Sequence, residues 1–135
     1  MIHINPYLTF NGNCREAMTF YKECLGGELT LHTVGESPMR EQWPANVQQN
    51  ILHASLVSGP LILLGSDVGS SDNLVDGNTI SLSLNCSSGD VLKTCFAKLS
   101  EGSRVSRPLH DFFAGTTGAL TDKYGKNWLF YCEKK

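Results

Sequence analysis

Two stretches of the chain resemble each other at a constant offset, and this internal repeat limits the folds that the chain can adopt. Asn11 ends an alternating segment that precedes a helical pattern, and Asn85 stands at the same place before a second helical pattern. The same offset carries Leu8 to Leu82. Because self-similarity at a fixed offset is the signature of a reused structural unit, the sequence predicts one unit that occurs twice. Chance matching of apolar residues at similar spacings is the alternative.

Each half predicts a strand, a helix and further strands. Apolar residues recur at three- and four-residue steps in both helical segments, which is typical of an amphipathic helix. We expect Asn13 and Glu16 to form a capping box at the first helix, Gly26 to end it, and Ser87 or Ser88 to cap the second. The predicted strands are 4–10, 28–34, 48–57 and 61–64 in the first half, and 79–84, 104–108, 112–122 and 127–132 in the second.

Length and composition predict one soluble domain. The chain has 135 residues, of which 41% are hydrophobic and 18% charged, and its net charge is −2. These values are ordinary for a globular domain, and no basic patch indicates nucleic-acid binding. No apolar run reaches membrane-spanning length and no secretory signal is visible, which favours the cytoplasm. We expect a first module over about 1–66, a polar connector over about 67–77 and a second module over about 78–135.

Several motifs, spread over nearly the whole chain, occur in the order of a known superfamily. They are PYLTFNG over 6–12, EAMTFY over 16–21, LGGE over 25–28, HASL over 53–56 and DKYGKNW over 122–128. Together with the order of elements, they resemble the vicinal oxygen chelate superfamily of glyoxalase, bleomycin-resistance and dioxygenase proteins, and within it the PhnB-like branch. The resemblance implies an α+β fold in which two βαβββ modules pair their curved sheets around a cleft. It also implies a homodimer, because relatives commonly dimerise.

The resemblance does not extend to the metal ligands of the superfamily. Metal-using relatives place His, Glu or Gln on the first and last strand of each module, and those places fall here near Asn5, near Ile80, within 61–64 and at Leu129. A divalent metal site needs about three or four convergent ligands. We therefore expect the fold without the superfamily metal, and no other cofactor.

A methyltransferase label is common in the PhnB-like branch, but the sequence does not carry the corresponding fingerprint. Methyltransferases of the common type need a glycine-rich loop that follows a strand and opens a helix. The only adjacent glycine pair in the first motif region, Gly26-Gly27, follows a predicted helix instead.

His53 is the leading candidate for a functional residue. It lies in a predicted strand between Leu52 and Ala54, where a polar ring departs from the pattern. A histidine facing the cleft would act as a hydrogen-bonding group or as a general base. The alternative is a core histidine whose ring is satisfied by a backbone carbonyl.

Two further pairs of residues are candidates for ligand binding. Phe113 and Trp128 are predicted on adjacent strands of the second module, where they would form an aromatic wall of one pocket or simply pack in the core. Trp43 and Arg40 lie in a long loop over 35–47. Trp43 would serve as a lid or a subunit contact, and Arg40 would clamp an anionic group or remain a solvated surface residue.

Two further predictions concern the structure itself. Asp122 opens the turn that precedes the last strand and is expected to bond the amides of its own turn. The chain has five cysteines without a CxxC spacing. Of these, Cys14, Cys24 and Cys95 lie on apolar helix stripes, so we expect them to pack as small hydrophobic residues.

Three function classes remain open. The favoured hypothesis is a small-molecule-binding protein of this superfamily, without the superfamily metal. The second is an enzyme, such as an isomerase, lyase or transferase, that uses His53 as a base. The third is a structural or partner-binding homodimer whose edge strands are covered by another copy.

Overall fold

The computed structural model describes residues 1–68 and 73–134 and divides them into two compact units, Met1–Leu74 and Val75–Lys135. Each unit contains one α-helix and one four-stranded sheet, in the order strand, helix and three strands. The predicted α+β class and the repeated βαβββ module are therefore confirmed. Within the described residues, neither helix is long and apolar enough to cross a membrane.

The two units share one topology. The first has strands β1 Tyr7–Phe10, β2 Glu28–Thr33, β3 Ile51–Ser58 and β4 Leu61–Asp67, with helix α1 Cys14–Leu25. The second has strands β5 Leu82–Cys86, β6 Arg104–Phe112, β7 Gly115–Thr121 and β8 Asn127–Glu133, with helix α2 Gly89–Leu99. The sheet orders are β1-β4-β3-β2 and β5-β8-β7-β6. In each, the first pairing is parallel and the other two are antiparallel.

The first strand of each unit differs from its prediction. The segment predicted from residue 4 becomes a strand only at Tyr7, although the Leu64 N–H donates to the Pro6 carbonyl at 3.0 Å. Proline has no N–H with which to continue a ladder, so regular pairing begins after it. The strand predicted over 79–84 lies at Leu82–Cys86 instead.

Pro108 lies inside strand β6 rather than at its end. The sequence predicted a strand that stops at Pro108 and another that starts near residue 112, whereas β6 runs through the proline to Phe112 and β7 begins at Gly115. A proline is tolerated in an edge strand, where its missing N–H breaks no ladder bond, and β6 is at the edge of its sheet. Register shifts flank Arg107 in this strand.

Each helix covers one face of the sheet in its own unit. Side chains alternate between the two faces along a strand, and in β3 the side chains of Ala54 and Leu56 are buried while His53 and Val57 are exposed. Helix α1 contacts strands β2, β3 and β4 through its buried stripe, which includes Met18.

The second unit repeats this arrangement with aromatic residues. Helix α2 contacts strands β5 and β8, and Leu92 and Leu99 are its buried residues. The Phe96 ring meets the Phe130 ring edge-on at a centroid distance of 4.9 Å. Edge-to-face packing is a favoured geometry for aromatic pairs, and it fixes α2 over the face that carries Phe130.

Helix α1 begins against a carboxylate from strand β4. The side chain of Asn13 makes no capping hydrogen bond, so the predicted capping box is wrong. Asp67 takes its place: Oδ1 accepts from the N–H groups of Gly12 and Cys14, both at 2.9 Å, and Oδ2 accepts from the Ile51 N–H at 2.8 Å. A negative charge is favourable at the amino end of a helix, and this one joins β4, α1 and the start of β3.

Helix α2 keeps a local cap, as the sequence predicted. The Ser88 hydroxyl accepts from the Val91 N–H at 3.2 Å, and Asp90 lies in the first turn. The two units therefore share a topology but begin their helices by different means.

Burial changes the acidity of the thiols. Cys14 and Cys24 are buried, as predicted, whereas Cys95 is only half-buried. Burial, together with the nearby Asp67 carboxylate, raises the pKa of Cys14 to about 12. Burial, together with the neighbouring Cys95, raises the pKa of Cys86 to about 11. Since the thiolate is the reactive form, both thiols are poor nucleophiles at neutral pH.

Replacement of Asp67 by alanine is expected to lower the free energy of unfolding by about 2–4 kcal/mol, because three backbone N–H groups lose a charged acceptor. The matched variant Asn13→Ala is expected to change it by less than about 0.5 kcal/mol, because the Asn13 side chain caps nothing. Urea denaturation of both variants measures the difference. Equal losses in the two variants would show that the carboxylate does not hold the start of α1.

Alkaline pH is expected to destabilise the protein through Cys14. The folded chain retains a thiol proton that the unfolded chain releases above its ordinary pKa of 9.0. This contribution to stability is therefore complete below pH 9.0, decreases as the pH rises, and is lost near the folded pKa of about 12. Urea denaturation at about pH 8 and about pH 10 should show a smaller decrease for Cys14→Ala than for the unmodified protein. Identical decreases would contradict the assignment.

Candidate functional site

The face of the first sheet that α1 does not cover carries aromatic, imidazole, hydroxyl and aliphatic side chains. We call it the helix-free face and define it by two neighbouring rows. In the first row, side chains from all four strands are aligned by strand pairing. In the second row, two histidines are register partners on neighbouring strands. The first row is Tyr7, Leu64, Ser55 and Thr30, and the second contains His53 and His32.

His53 is exposed on the helix-free face. Its backbone pairs with His32 across strands β3 and β2, and its ring lies 6.2 Å from the ring of Tyr7, measured between centroids. The alternative of a buried core histidine is wrong, because the adjacent Ala54 occupies the face toward α1 and thereby directs His53 to the other side. A catalytic or binding role for His53 stays a prediction.

Apolar side chains are also exposed on this face, where Val57 and Ile62 lie on the opposite side of the first row from the histidines. Tyr7 is 50% exposed, Val57 43% and Ile62 36%. Val57 pairs with Ile62 on the neighbouring strand, so the two aliphatic groups lie together. Apolar area beside hydrogen-bonding groups is the usual composition of a surface that binds organic molecules.

Arg40 and Trp43 lie in one loop that joins strands β2 and β3. Two short 3₁₀ helices, Arg40–Gln42 and Ala45–Val47, occur in this loop, which the sequence predicted as irregular. The side-chain amide of Gln48 donates to the Arg40 carbonyl at 2.7 Å and to the Trp43 carbonyl at 3.0 Å. The Arg40 side chain is exposed and that of Trp43 is half-buried. Their roles in ligand binding stay predictions.

Phe113 and Trp128 do not lie on adjacent strands, so this prediction is wrong. Phe113 lies in the turn between β6 and β7 and is 92% exposed. Trp128 lies in β8, is 2% exposed, and pairs with Leu82 and Leu120. The turn directs Phe113 to solvent, whereas strand alternation puts Trp128 on the same face as the buried Phe130. A contribution of either ring to ligand binding stays a prediction.

The buried Trp128 has a specific partner in Asp122. The indole N–H donates to Asp122 Oδ2 at 2.7 Å, and Oδ1 accepts from the N–H groups of Tyr124 and Lys126 at 2.8 and 3.0 Å. The prediction that Asp122 bonds its own turn is confirmed. The sequence analysis did not predict the hydrogen bond from the Trp128 indole to Asp122. A signal was present, because a buried tryptophan needs an acceptor for its N–H and Asp122 opens the preceding turn.

A cavity in the second unit was also missed by the sequence analysis. It has a volume of about 410 Å³ and lies at the amino end of α2. Its Thr116 hydroxyl donates to Asp111 Oδ1 at 2.7 Å. The residues that line the cavity include none of the predicted ligand-binding residues; they are Ser88, Gly89, Asp111, Phe112, Gly115, Thr116, Cys132, Glu133 and Lys134.

No cluster of three metal-ligating side chains occurs in residues 1–68 and 73–134. Such a cluster would consist of His, Cys, Asp or Glu side chains placed so that they hold an ion together. The metal status of the protein therefore stays a prediction, as do the expected cleft between the modules and the expected homodimer.

The sequence matches one family model over nearly its whole length. The model is described as 3-demethylubiquinone-9 3-methyltransferase, and the match covers residues 2–130. The chain belongs to this family. A Bacillus cereus structure described as a putative 3-demethylubiquinone-9 3-methyltransferase, PhnB protein, covers 97% of this chain and 99% of its own, with a TM-score of 0.79 and 23% identity. The predicted PhnB-like branch is therefore confirmed.

Relatives at higher identity also cover the chain from end to end. Protein PA1353 from Pseudomonas aeruginosa is 38% identical, with a TM-score of 0.89 and complete coverage of both chains. Protein YjdN from Escherichia coli K12 is 29% identical over 98% of this chain and 96% of its own length.

The fold is that of the wider superfamily. A glyoxalase/bleomycin resistance protein/dioxygenase family enzyme from Burkholderia phytofirmans has a TM-score of 0.64 at 9% identity, and the alignment covers 95% of this chain and 97% of the other. At this identity the likeness concerns the fold alone. It confirms the superfamily fold that the resemblance implied.

The PhnB-like protein is expected to depend on the bond between Trp128 and Asp122 for stability. Trp128→Phe keeps an aromatic ring but removes the N–H, and should lower the free energy of unfolding by about 1–3 kcal/mol. Phe113→Ala should change it by less than about 0.5 kcal/mol, because that ring is exposed. Thermal or urea denaturation compares the two variants, and a larger loss for Phe113→Ala would refute the assignment of their environments.

Proposed function

We propose that the protein binds a small organic molecule on the helix-free face of the first sheet, without the metal centre of the superfamily. The observation that carries this proposal is the contact between the rings of Tyr7 and His53, with His32 directly opposite, on an exposed face. Rings, hydroxyls and aliphatic groups are adjacent there, so one ligand can meet several of them at once.

The residues of this face suggest the chemical nature of the ligand. A neutral imidazole carries one donor and one acceptor, so the two histidines can bond a carbonyl, hydroxyl or amine of a ligand. Tyr7, Val57 and Ile62 offer exposed apolar area for its carbon skeleton. We infer a compound with a flat or aliphatic body and one hydrogen-bonding end. Arg40 and Trp43 belong to the same proposal as residues of the adjoining loop.

The cavity in the second unit supports ligand binding less well. Its Asp111 and Thr116 side chains already bond each other. Its other charged groups, Glu133 and Lys134, are of opposite sign, so they favour no single ligand charge. This cavity is therefore the rival binding site.

Methyl transfer, which the family description names, is not part of the proposed function. In this chain strand β1 leads into α1 through Asn11, Gly12 and Asn13, and the amino end of α1 is occupied by the Asp67 carboxylate. A methyl donor of the nucleoside type needs a glycine-rich turn at that place. This arrangement therefore favours binding over methyl transfer.

A panel of small organic compounds, assayed by thermal shift, tests the proposal. A compound that binds only the folded state raises the melting temperature by mass action. For compounds that stabilise the protein, His53→Ala should abolish most of the increase. The variant itself should melt close to the unmodified protein, because His53 is exposed.

Two matched variants give this experiment its controls. His110→Ala removes an exposed imidazole from the second unit, and Thr116→Val alters the rival cavity. Both should retain the ligand-induced increase. Loss of the increase in Thr116→Val, with retention in His53→Ala, would assign binding to the cavity and refute the proposed site.

A further inference from the structure

Two histidines face each other across neighbouring strands of the first sheet. His32 in β2 and His53 in β3 are register partners in an antiparallel pair, and both are exposed. Directly opposed residues in such a pair have Cβ atoms about 4.5–5.5 Å apart and project to the same face. The sequence separates the two residues by a loop, so their juxtaposition appears only in the fold.

This spacing suits chelation of one metal ion. An imidazole nitrogen binds zinc at about 2.0–2.1 Å, and each ring can turn about two bonds, Cα–Cβ and Cβ–Cγ. Two rings that start about 5 Å apart can therefore direct one nitrogen each to a common point above the sheet. A lone exposed histidine offers only one ligand and no chelate.

We propose that His32 and His53 together form a two-histidine site for a divalent transition-metal ion, with Zn²⁺ as the reference ion. Zinc takes four ligands in its usual geometry. No third His, Cys, Asp or Glu joins the pair in the described part of the chain, so water or an oxygen donor of a small molecule occupies the remaining positions.

The proposed site differs from the metal centre of the superfamily. That centre is expected on the first and last strands of a module, whereas His32 and His53 lie on the second and third strands of one module. The site also goes beyond the proposed function, because it requires the two imidazoles and no organic ligand.

The surroundings of the pair are compatible with a bound cation. Hydrogen bonds from Thr33, with a smaller effect of the nearby His32, lower the pKa of Glu36. The Glu36 carboxylate accepts from the hydroxyl of Thr33, the residue after His32, at 2.7 Å. On the other side, the Tyr7 ring is tilted by 55° to the ring of His53 and restricts its orientation. Packing that orients a ligating histidine commonly strengthens metal binding.

Calorimetric titration of the metal-free protein with Zn²⁺ alone tests the proposal. The unmodified protein should bind one ion that is lost, or bound about tenfold or more weakly, in His32→Ala and equally in His53→Ala. The double variant should be no weaker than either single variant, because removal of one ring already destroys the chelate.

The remaining exposed histidines serve as controls. His3→Ala and His110→Ala should bind Zn²⁺ as the unmodified protein does, and the cysteines contribute equally to every variant. Circular dichroism and melting without metal should be unchanged in all variants, since the replaced rings are exposed. If an alanine variant melts differently, His32→Gln or His53→Gln replaces it, because glutamine keeps the polar surface but binds zinc poorly.

Two results would overturn the proposal. One is unchanged Zn²⁺ binding in both His32→Ala and His53→Ala, and the other is a loss in only one of them. Since no organic compound is present, the outcome is independent of the ligand panel, and either proposal can fail while the other stands.

Discussion

A single helix can cover only one face of a four-stranded sheet, and this constraint determines on which face each candidate residue of a strand lies. In each unit the helix packs on one face, and strand alternation assigns each side chain to the covered or the uncovered side. Ala54 and His53 are neighbours in the chain, but only Ala54 lies against α1. Trp128 and Leu129 are separated in the same way, and Trp128 is buried. Because of this alternation, Tyr7 and the two histidines lie together on the helix-free face of the first sheet.

The amino ends of the two helices are capped by different groups, although the two units have the same topology. Ser88 caps α2 locally, whereas α1 depends on Asp67 from the far end of the unit. Because the same carboxylate also accepts from Ile51, it connects the start of α1 to both central strands. It lies beside Cys14, whose pKa is raised by burial and by this negative charge. The stability and thiol chemistry of the first unit therefore share one residue.

The repeated module could be predicted because it is encoded in local patterns. Apolar spacing identified both helices, Ser88 was recognised as a cap, and the Asp122 turn was expected from its own residues. Asp67 was not recognised as a cap, since it reaches α1 from more than fifty residues away along the chain. Local patterns do not report such distant partners.

The candidate site was less predictable than the fold. His53 was identified as out of pattern, but its pairing with His32 depends on strand register, and a slip of either strand by one residue would turn its ring to the other face. The grouping of Phe113 with Trp128 failed because β6 extends through Pro108 and leaves Phe113 in the following turn. The cavity beside Gly89 gave no sequence signal, because its lining comes from the ends of separate strands.

We propose that the helix-free face of the first sheet is the binding surface of this PhnB-like protein. A crystal structure of the protein with the compound that raises its melting temperature most would test this claim directly. We expect that compound to lie against the rings of Tyr7 and His53. If the compound lay in the cavity beside Gly89 and Cys132 and not on the helix-free face, the proposed binding surface would be wrong.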